Sequence, residues 1–129
     1  MTPKLRLLYA EDDPDTRELI VLALEMEGFE VVCPEDLTEF LRLAKNETWQ
    51  AYMLDTWMPE VDGFELCGQI RGFDPHTPIV FYSGAALERD KARAFASGAT
   101  AYFVKPIAFP ELVDGLKAVI TLAAGVSVR

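Results

Sequence analysis

Short apolar runs alternate along this chain with longer segments of helical periodicity, and this alternation restricts the fold more than any other feature. Such an order is typical of parallel strands joined by crossover helices. Strands are predicted at residues 5–9, 29–33, 51–54, 79–82 and 102–104. Helices are predicted at residues 14–27, 36–45, 63–71, 87–97 and 110–123. The pattern therefore predicts a doubly wound α/β domain with a five-stranded parallel sheet and five helices.

The predicted helices differ in how strongly their apolar residues mark a buried face. In the first helix the predicted core stripe consists of Leu19, Leu22, Ala23 and Met26. The third helix is interrupted by Gly68, and the fourth has few apolar anchors beyond Leu87 and Phe95. Because weakly anchored helices open most easily, the fourth helix is expected to be a mobile element.

The charge of the chain excludes some classes of function. A formal net charge of −9 over 129 residues disfavours direct binding to nucleic acid through a basic face. Residues 1–65 hold 16 acidic and 5 basic side chains, a net −11, whereas residues 66–129 hold 5 and 7, a net +2. Acidic groups of the first half are therefore expected to gather where they hold a cation or meet a basic partner. The length fits a single domain over residues 1–129.

Localisation is read from what the sequence lacks. No apolar stretch is long enough to cross a bilayer, and no basic segment followed by an apolar signal core begins the chain. The chain is therefore expected to be cytoplasmic, without a membrane partner. Cys33 and Cys67 lack metal-ligand spacing and are expected to be small core or half-buried residues.

Acidic residues follow two strands that should be neighbours in this fold. Glu11, Asp12 and Asp13 come after the first strand, and Asp55 comes after the third. Asp13 before a proline is more simply a helix cap, and a lone aspartate after a strand is more simply a turn residue. Carboxylates that converge at one sheet edge suit a hard divalent ion, and magnesium prefers oxygen ligands. The sequence therefore predicts a Mg²⁺ site formed with Glu11, Asp12 and Asp55.

The other two strand ends carry a hydroxyl and an ammonium group. Ser83 follows the fourth strand and Lys105 the fifth; taken singly, each is a common loop residue. A carboxylate nucleophile that accepts a phosphoryl group needs a metal, a fixed cation and a hydroxyl or amide donor for the phosphoryl oxygens. Each of these groups is offered from a different strand end. Together they predict a phosphoryl-transfer site.

Four motifs, in order, resemble those of two-component response regulator receiver domains of the chemotaxis-regulator type. They are Glu11-Asp12-Asp13, Asp55-x-x-Met58-Pro59-x-x-Asp62-Gly63, Ser83-Gly84-Ala85 and Lys105-Pro106. The resemblance implies that Asp55 is the phospho-acceptor and that Asp12 binds the metal directly, with Glu11 beside it. It also implies that the backbone carbonyl of Trp57 is a further metal ligand. The fold that it implies is flavodoxin-like, with the strands in the order 2-1-3-4-5. Pro106 is expected to follow a cis peptide bond.

The resemblance also assigns the residues that transmit the signal. Ser83 and Lys105 would contact the phosphoryl group, and Tyr102 would be the aromatic switch residue; by itself Tyr102 is simply a half-exposed strand tyrosine. The implied phosphoryl donor is a sensor histidine kinase or a histidine phosphotransfer protein. The implied target or output domain binds the face formed by the fourth helix, fifth strand and fifth helix. Gly98–Thr100 and Ala101 lack the paired acids of regulators that dimerise there, so a monomer or weak dimer is expected.

The chain departs from the family pattern at two places, and two rival functions fit the sequence less well. Leu8-Tyr9-Ala10 replaces the usual aliphatic pair before the acids, which is expected to affect packing only. The bulky Trp57 ring beside the predicted phosphoryl site is expected to tune the access of water and hence the lifetime of the phosphate. A haloacid-dehalogenase-like phosphatase needs an acid where Trp57 stands. A degenerate receiver would not keep the complete set of site residues. The expected function is thus a signalling receiver, not an enzyme beyond its own phosphorylation and dephosphorylation, either stand-alone or part of a longer regulator.

Overall fold

A computed structural model describes residues 4–125 as a five-stranded parallel sheet with helices on both faces. The strands are β1 (Leu5–Ala10), β2 (Phe29–Val32), β3 (Ala51–Leu54), β4 (Ile79–Ser83) and β5 (Ala101–Val104). The helices are α1 (Pro14–Glu25), α2 (Leu37–Asn46), α3 (Gly63–Arg71), α4 (Glu88–Ala96) and α5 (Phe109–Ala123). The order β2-β1-β3-β4-β5 confirms the predicted fold. The predicted domain over 1–129 includes residues 1–3 and 126–129, which lie outside the described residues, and it stays a prediction.

The strand register aligns the residues that leave the sheet at its carboxyl edge. Ala10 of β1 pairs with Leu54 of β3, and the amide of Asp55 donates to the carbonyl of Ala10 at 3.1 Å. Ser83 of β4 pairs with Val104 of β5. Because all strands are parallel, the residues that follow them meet at one edge of the sheet.

Alternate strand residues build two separate cores. One core lies between the sheet and α2, α3 and α4, and its strand residues include Leu8, Tyr52, Leu54, Ile79 and Phe81. The other lies under α1 and α5, and its strand residues include Leu7, Tyr9, Met53, Val80 and Tyr82. Both faces of the central strands are therefore buried, which explains why these strands read as continuous apolar runs. No helix among residues 4–125 is long and apolar enough to span a membrane.

The predicted inward face of α1 is wrong. Ile20 and Leu24 are the buried residues of this helix. Leu19, Leu22 and Met26 are 67%, 56% and 85% exposed. Residues 19–24 are apolar without interruption, so helical periodicity allows two different stripes and does not decide which one faces the sheet.

Helices α3 and α4 differ more than their patterns predicted. Despite Gly68, α3 is anchored by five buried residues: Gly63, Phe64, Leu66, Cys67 and Ile70. Helix α4 buries Ala94 alone, whereas the predicted anchors Leu87 and Phe95 are 53% and 49% exposed. The weak anchoring expected of α4 is confirmed. Its buried residue is a small alanine that the apolar pattern did not single out.

Gly63 lets α3 begin directly against the strand end that carries Asp55. Its amide donates to the carbonyl of Thr56 at 3.0 Å. A Cβ atom at Gly63 would overlap the backbone carbonyl oxygen of Asp55, whereas a Cβ atom at Gly68 would meet open space. The two glycines of one helix therefore have different roles.

We expect Gly63→Ala to lower the free energy of unfolding by about 1–3 kcal/mol, because a backbone segment must shift to admit the methyl group. Gly68→Ala is the matched control and should raise it by about 0.5–1 kcal/mol, since alanine favours the helix. Urea denaturation of both variants measures the difference. A Gly63→Ala protein as stable as the wild type would contradict this account of the close approach.

Candidate functional site

Three carboxylates converge at the carboxyl edge of the sheet, as the sequence predicted. Glu11 and Asp12 follow β1, and Asp55 follows β3. One carboxylate oxygen from each residue lies within 4.8 Å of the others. Glu11 and Asp55 are buried, at 4% and 8% exposure, whereas Asp12 is exposed. An all-oxygen set of this kind fits a hard divalent cation such as magnesium.

Lys105, just after β5, is the cation that faces these carboxylates. Its Nζ atom lies 2.7 Å from Glu11 Oε1 and 3.4 Å from Asp55 Oδ2. The ammonium group also lies 5.1 Å from the centre of the Tyr82 ring. The Lys105–Pro106 peptide bond is cis, as predicted. In the resting protein Lys105 is therefore bound mainly to Glu11.

The pKa values of this pair follow from burial and charge. Burial raises the pKa of Glu11, the Lys105 hydrogen bond lowers it and the charge of Asp55 raises it; the net direction is upward. Burial alone would lower the pKa of Lys105, but the hydrogen bond to Glu11 and the charge of Asp55 raise it overall. Lys105 therefore stays charged, and the acidic cluster favours any added positive charge.

Ser83 lies beside Asp55 but is hydrogen bonded to a residue that the sequence analysis missed. Its Oγ atom is 2.5 Å from Thr56 Oγ1, and both side chains are buried. The amide of Ala85 donates to Ser83 Oγ at 3.1 Å. The amide of Thr56 donates to Asp55 Oδ1 at 2.7 Å. A hydroxyl directly after the predicted acceptor aspartate was the available signal for Thr56.

Tyr9 is the second residue of the site that the sequence analysis underrated. The expectation was that it affects packing only. Its hydroxyl donates to Glu11 Oε1 at 3.1 Å, from a side chain with no exposed surface. Burial, and then the charge of Glu11, raise the pKa of Tyr9 far above its usual value, so the phenol remains a donor.

Tyr102 connects the loop after β4 to the core. Its hydroxyl donates to the carbonyl of Ala85 at 2.6 Å. Its ring is stacked on Phe81 with centroids 5.6 Å apart. Phe81 is in turn stacked on Phe64 of α3 at 5.6 Å. Tyr102 is half-buried, which fits a half-exposed strand tyrosine, and its hydroxyl contacts the segment that Ser83 begins. Its role as a switch residue stays a prediction.

Two other predicted residues lie at the edge of the site. Asp13 accepts a hydrogen bond from the amide of Thr16 at 2.9 Å, which confirms the simpler interpretation as the cap of α1. The Trp57 side chain is 66% exposed. The role of the Trp57 backbone carbonyl as a metal ligand stays a prediction.

With this geometry in place, comparison with known proteins decides the family. A family model for the response regulator receiver domain matches residues 7–117. The chain belongs to this family. It is therefore a receiver domain of the kind found in two-component signalling, as the four motifs indicated.

Individual relatives are similar to this domain in sequence and in fold. The receiver domain is 31% identical over 116 residues to response regulator MprA of Mycobacterium sp. (strain KMS), which covers 90% of this chain and 50% of MprA. A CheY-like receiver domain protein from Methanospirillum hungatei JF-1 superposes with a TM-score of 0.88 at 24% identity, covering 96% of this chain and 99% of that one. The response regulator TrrA from Thermotoga maritima is 30% identical, with a TM-score of 0.80 and coverage of 89% and 98%. TrrA was solved in complex with Mg²⁺-BeF. The receiver domain thus spans half the length of MprA.

Proposed function

We propose that this receiver domain accepts a phosphoryl group on Asp55 from a histidine kinase or histidine phosphotransfer protein, with the help of Mg²⁺. The observation that carries the proposal is the buried Asp55 carboxylate, which lies between two further acids and the Lys105 ammonium. The Mg²⁺ ligands would be carboxylate oxygens of Glu11, Asp12 and Asp55 and the backbone carbonyl of Trp57. The Mg²⁺-BeF complex of TrrA supports this assignment by similarity.

Each of these groups has its own role in phosphoryl transfer. A carboxylate oxygen of Asp55 attacks the phosphorus of a phosphohistidine, and the O–P bond forms as the P–N bond breaks. The bonding electron pair leaves with the imidazole nitrogen of the donor. Bound Mg²⁺ supplies positive charge that neutralises the phosphoryl oxygens. Lys105 binds a second oxygen as a fixed cation, and the Ser83 hydroxyl donates to a third.

Output follows from the hydrogen bonds that Ser83 must exchange. Ser83 would turn from Thr56 towards the phosphoryl group and draw the loop at Ala85 with it. The Tyr102 hydroxyl is hydrogen bonded to the carbonyl of Ala85. The Tyr102 ring and the weakly anchored α4 would therefore respond together to the shift of this loop. We therefore place the target surface on α4, β5 and α5. With its net charge of −9, the domain would act on a protein rather than directly on nucleic acid.

The rival functions require different chemistry. A haloacid-dehalogenase-like phosphatase would need an acid at the position of the exposed Trp57. A receiver that binds partners without phosphorylation would not need Lys105 beside two buried carboxylates. The proposed domain catalyses only its own phosphorylation and dephosphorylation. We further propose that it works in the cytoplasm as a monomer or weak dimer.

Incubation with acetyl phosphate and Mg²⁺ tests the acceptor. The intact mass of the wild type should rise by one phosphoryl group, whereas Asp55→Asn should remain unmodified. Asp15→Asn, which changes an exposed acid in the first turn of α1, should be phosphorylated like the wild type. Phosphorylation of Asp55→Asn, or steady turnover of external phosphate esters, would reject the receiver mechanism.

Asp12→Asn tests the metal site. We expect it to weaken Mg²⁺ binding by roughly tenfold or more, because a hard cation loses a charged oxygen ligand. Titration of Mg²⁺ against the fluorescence of the exposed Trp57 measures the affinity, with Asp15→Asn as the charge-matched control. An unchanged binding curve for Asp12→Asn would remove Asp12 from the metal site.

A further inference from the structure

The hydroxyl of Tyr9 reaches the phosphorylation site from inside the protein. Tyr9 lies on β1 with no exposed surface, and its hydroxyl donates to Glu11 Oε1 at 3.1 Å. The roles proposed for Asp55, Lys105 and Ser83 in phosphoryl transfer require no phenol at this position. The phenol is therefore a feature of this chain that phosphoryl transfer alone does not explain.

The Glu11 carboxylate is held by three protein donors. Its Oε1 atom accepts from Tyr9 and from Lys105 Nζ, the latter at 2.7 Å. Its Oε2 atom accepts from the amide of Asp13 at 3.3 Å. Glu11 is 4% exposed, so water contributes little to its solvation. Of the three donors only Lys105 carries a charge, and only Lys105 has a second carboxylate within reach.

Phosphorylation would take that charged donor away from Glu11. Lys105 Nζ is closer to Glu11 than to Asp55, at 2.7 Å against 3.4 Å, so it must shift to bind a phosphoryl oxygen. Even where Glu11 also helps to hold Mg²⁺, the loss of a donor from a buried carboxylate costs free energy, and this cost opposes the shift. Tyr9 lies in β1 with no exposed surface, so its hydroxyl would stay within reach of Glu11 when Lys105 moves.

We propose that Tyr9 is a positioning residue for phosphoryl transfer: its hydroxyl holds the Glu11 carboxylate in place while Lys105 moves from Glu11 to the phosphoryl group on Asp55. The inference rests on the proposed function of Asp55 and Lys105. Without the hydroxyl, Lys105 would be the sole donor to Glu11 Oε1 and would leave it less readily. Tyr9 thus favours the phosphorylated state through Glu11, without touching the phosphoryl group.

The chain offers a matched control in Tyr52. This tyrosine lies on β3 at 1% exposure, and its hydroxyl donates to Asp74 Oδ2 at 3.0 Å. Asp74 lies before β4, at the opposite edge of the sheet from Asp55. Tyr9→Phe and Tyr52→Phe each delete one phenol-to-carboxylate hydrogen bond of a buried tyrosine and keep the ring; the bond of Tyr52 is part-buried, and its hydroxyl also lies 3.4 Å from the carbonyl of Ala44. Only the first deletion concerns the site.

The experiment titrates beryllofluoride, a mimic of the phosphoryl group, into both variants at saturating Mg²⁺ and follows Trp57 fluorescence. Tyr9→Phe should raise the dissociation constant by roughly three- to tenfold, because Glu11 Oε1 would keep no protein donor once Lys105 leaves it. Tyr52→Phe should change it by less than about twofold, because distant sites act independently. Equal dissociation constants for Tyr9→Phe, Tyr52→Phe and wild type would overturn the inference.

A second measurement uses the wild type alone and holds even if Tyr9→Phe does not fold. With tyrosine labelled at Cζ, the Tyr9 carbon signal should shift on beryllofluoride binding, because its acceptor loses Lys105. The Tyr52 signal should stay in place. A Tyr9 signal that does not move while beryllofluoride binds would also overturn the inference. Failure of the proposed function would give a different result. Beryllofluoride would then bind neither the wild type nor Tyr9→Phe, or it would bind Asp55→Asn as tightly as the wild type.

Discussion

A single ammonium group compensates the crowded carboxylates at the edge of this sheet, and the rest of the site depends on that imbalance. Lys105 contacts Glu11 and Asp55, while Asp12 completes the acidic cluster. Like charges held this close in a partly buried site repel strongly, and one lysine does not neutralise three acids. The excess negative charge favours an added cation. A divalent cation such as Mg²⁺ would relieve the repulsion and allow an anionic phosphoryl group to approach.

The fold itself holds these carboxylates close together. Parallel pairing of Ala10 with Leu54 aligns the residues that follow both strands, and the amide of Asp55 is bonded to the carbonyl of Ala10. Gly63 then brings α3 against the Asp55 carbonyl. The strands fix the charges, whereas α4, beyond the loop that follows β4, buries only Ala94. In the function that we propose, this lightly buried helix is the element that responds to phosphorylation.

Sequence reasoning reached the fold and the residues Glu11, Asp12, Asp55, Ser83 and Lys105, because strand ends are marked by a sharp change from apolar to polar residues. It did not identify the buried face of α1, since an uninterrupted apolar segment has no unique stripe. It also missed the contacts of Thr56 with Ser83 and of Tyr9 with Glu11. These contacts depend on the direction in which each buried side chain points. Neither the spacing of residues nor the composition of the chain specifies that direction.

A crystal structure of the domain with Mg²⁺ and beryllofluoride tests the central claim most directly, because it shows where the Lys105 ammonium lies once Asp55 carries a phosphoryl mimic. The resting position is 2.7 Å from Glu11 Oε1. Our account predicts that Lys105 Nζ will contact a fluoride on Asp55, beyond hydrogen-bonding distance of Glu11, with the Tyr9 hydroxyl still bound to Glu11. A complex in which Lys105 remains on Glu11 and makes no contact with the fluorides would contradict it.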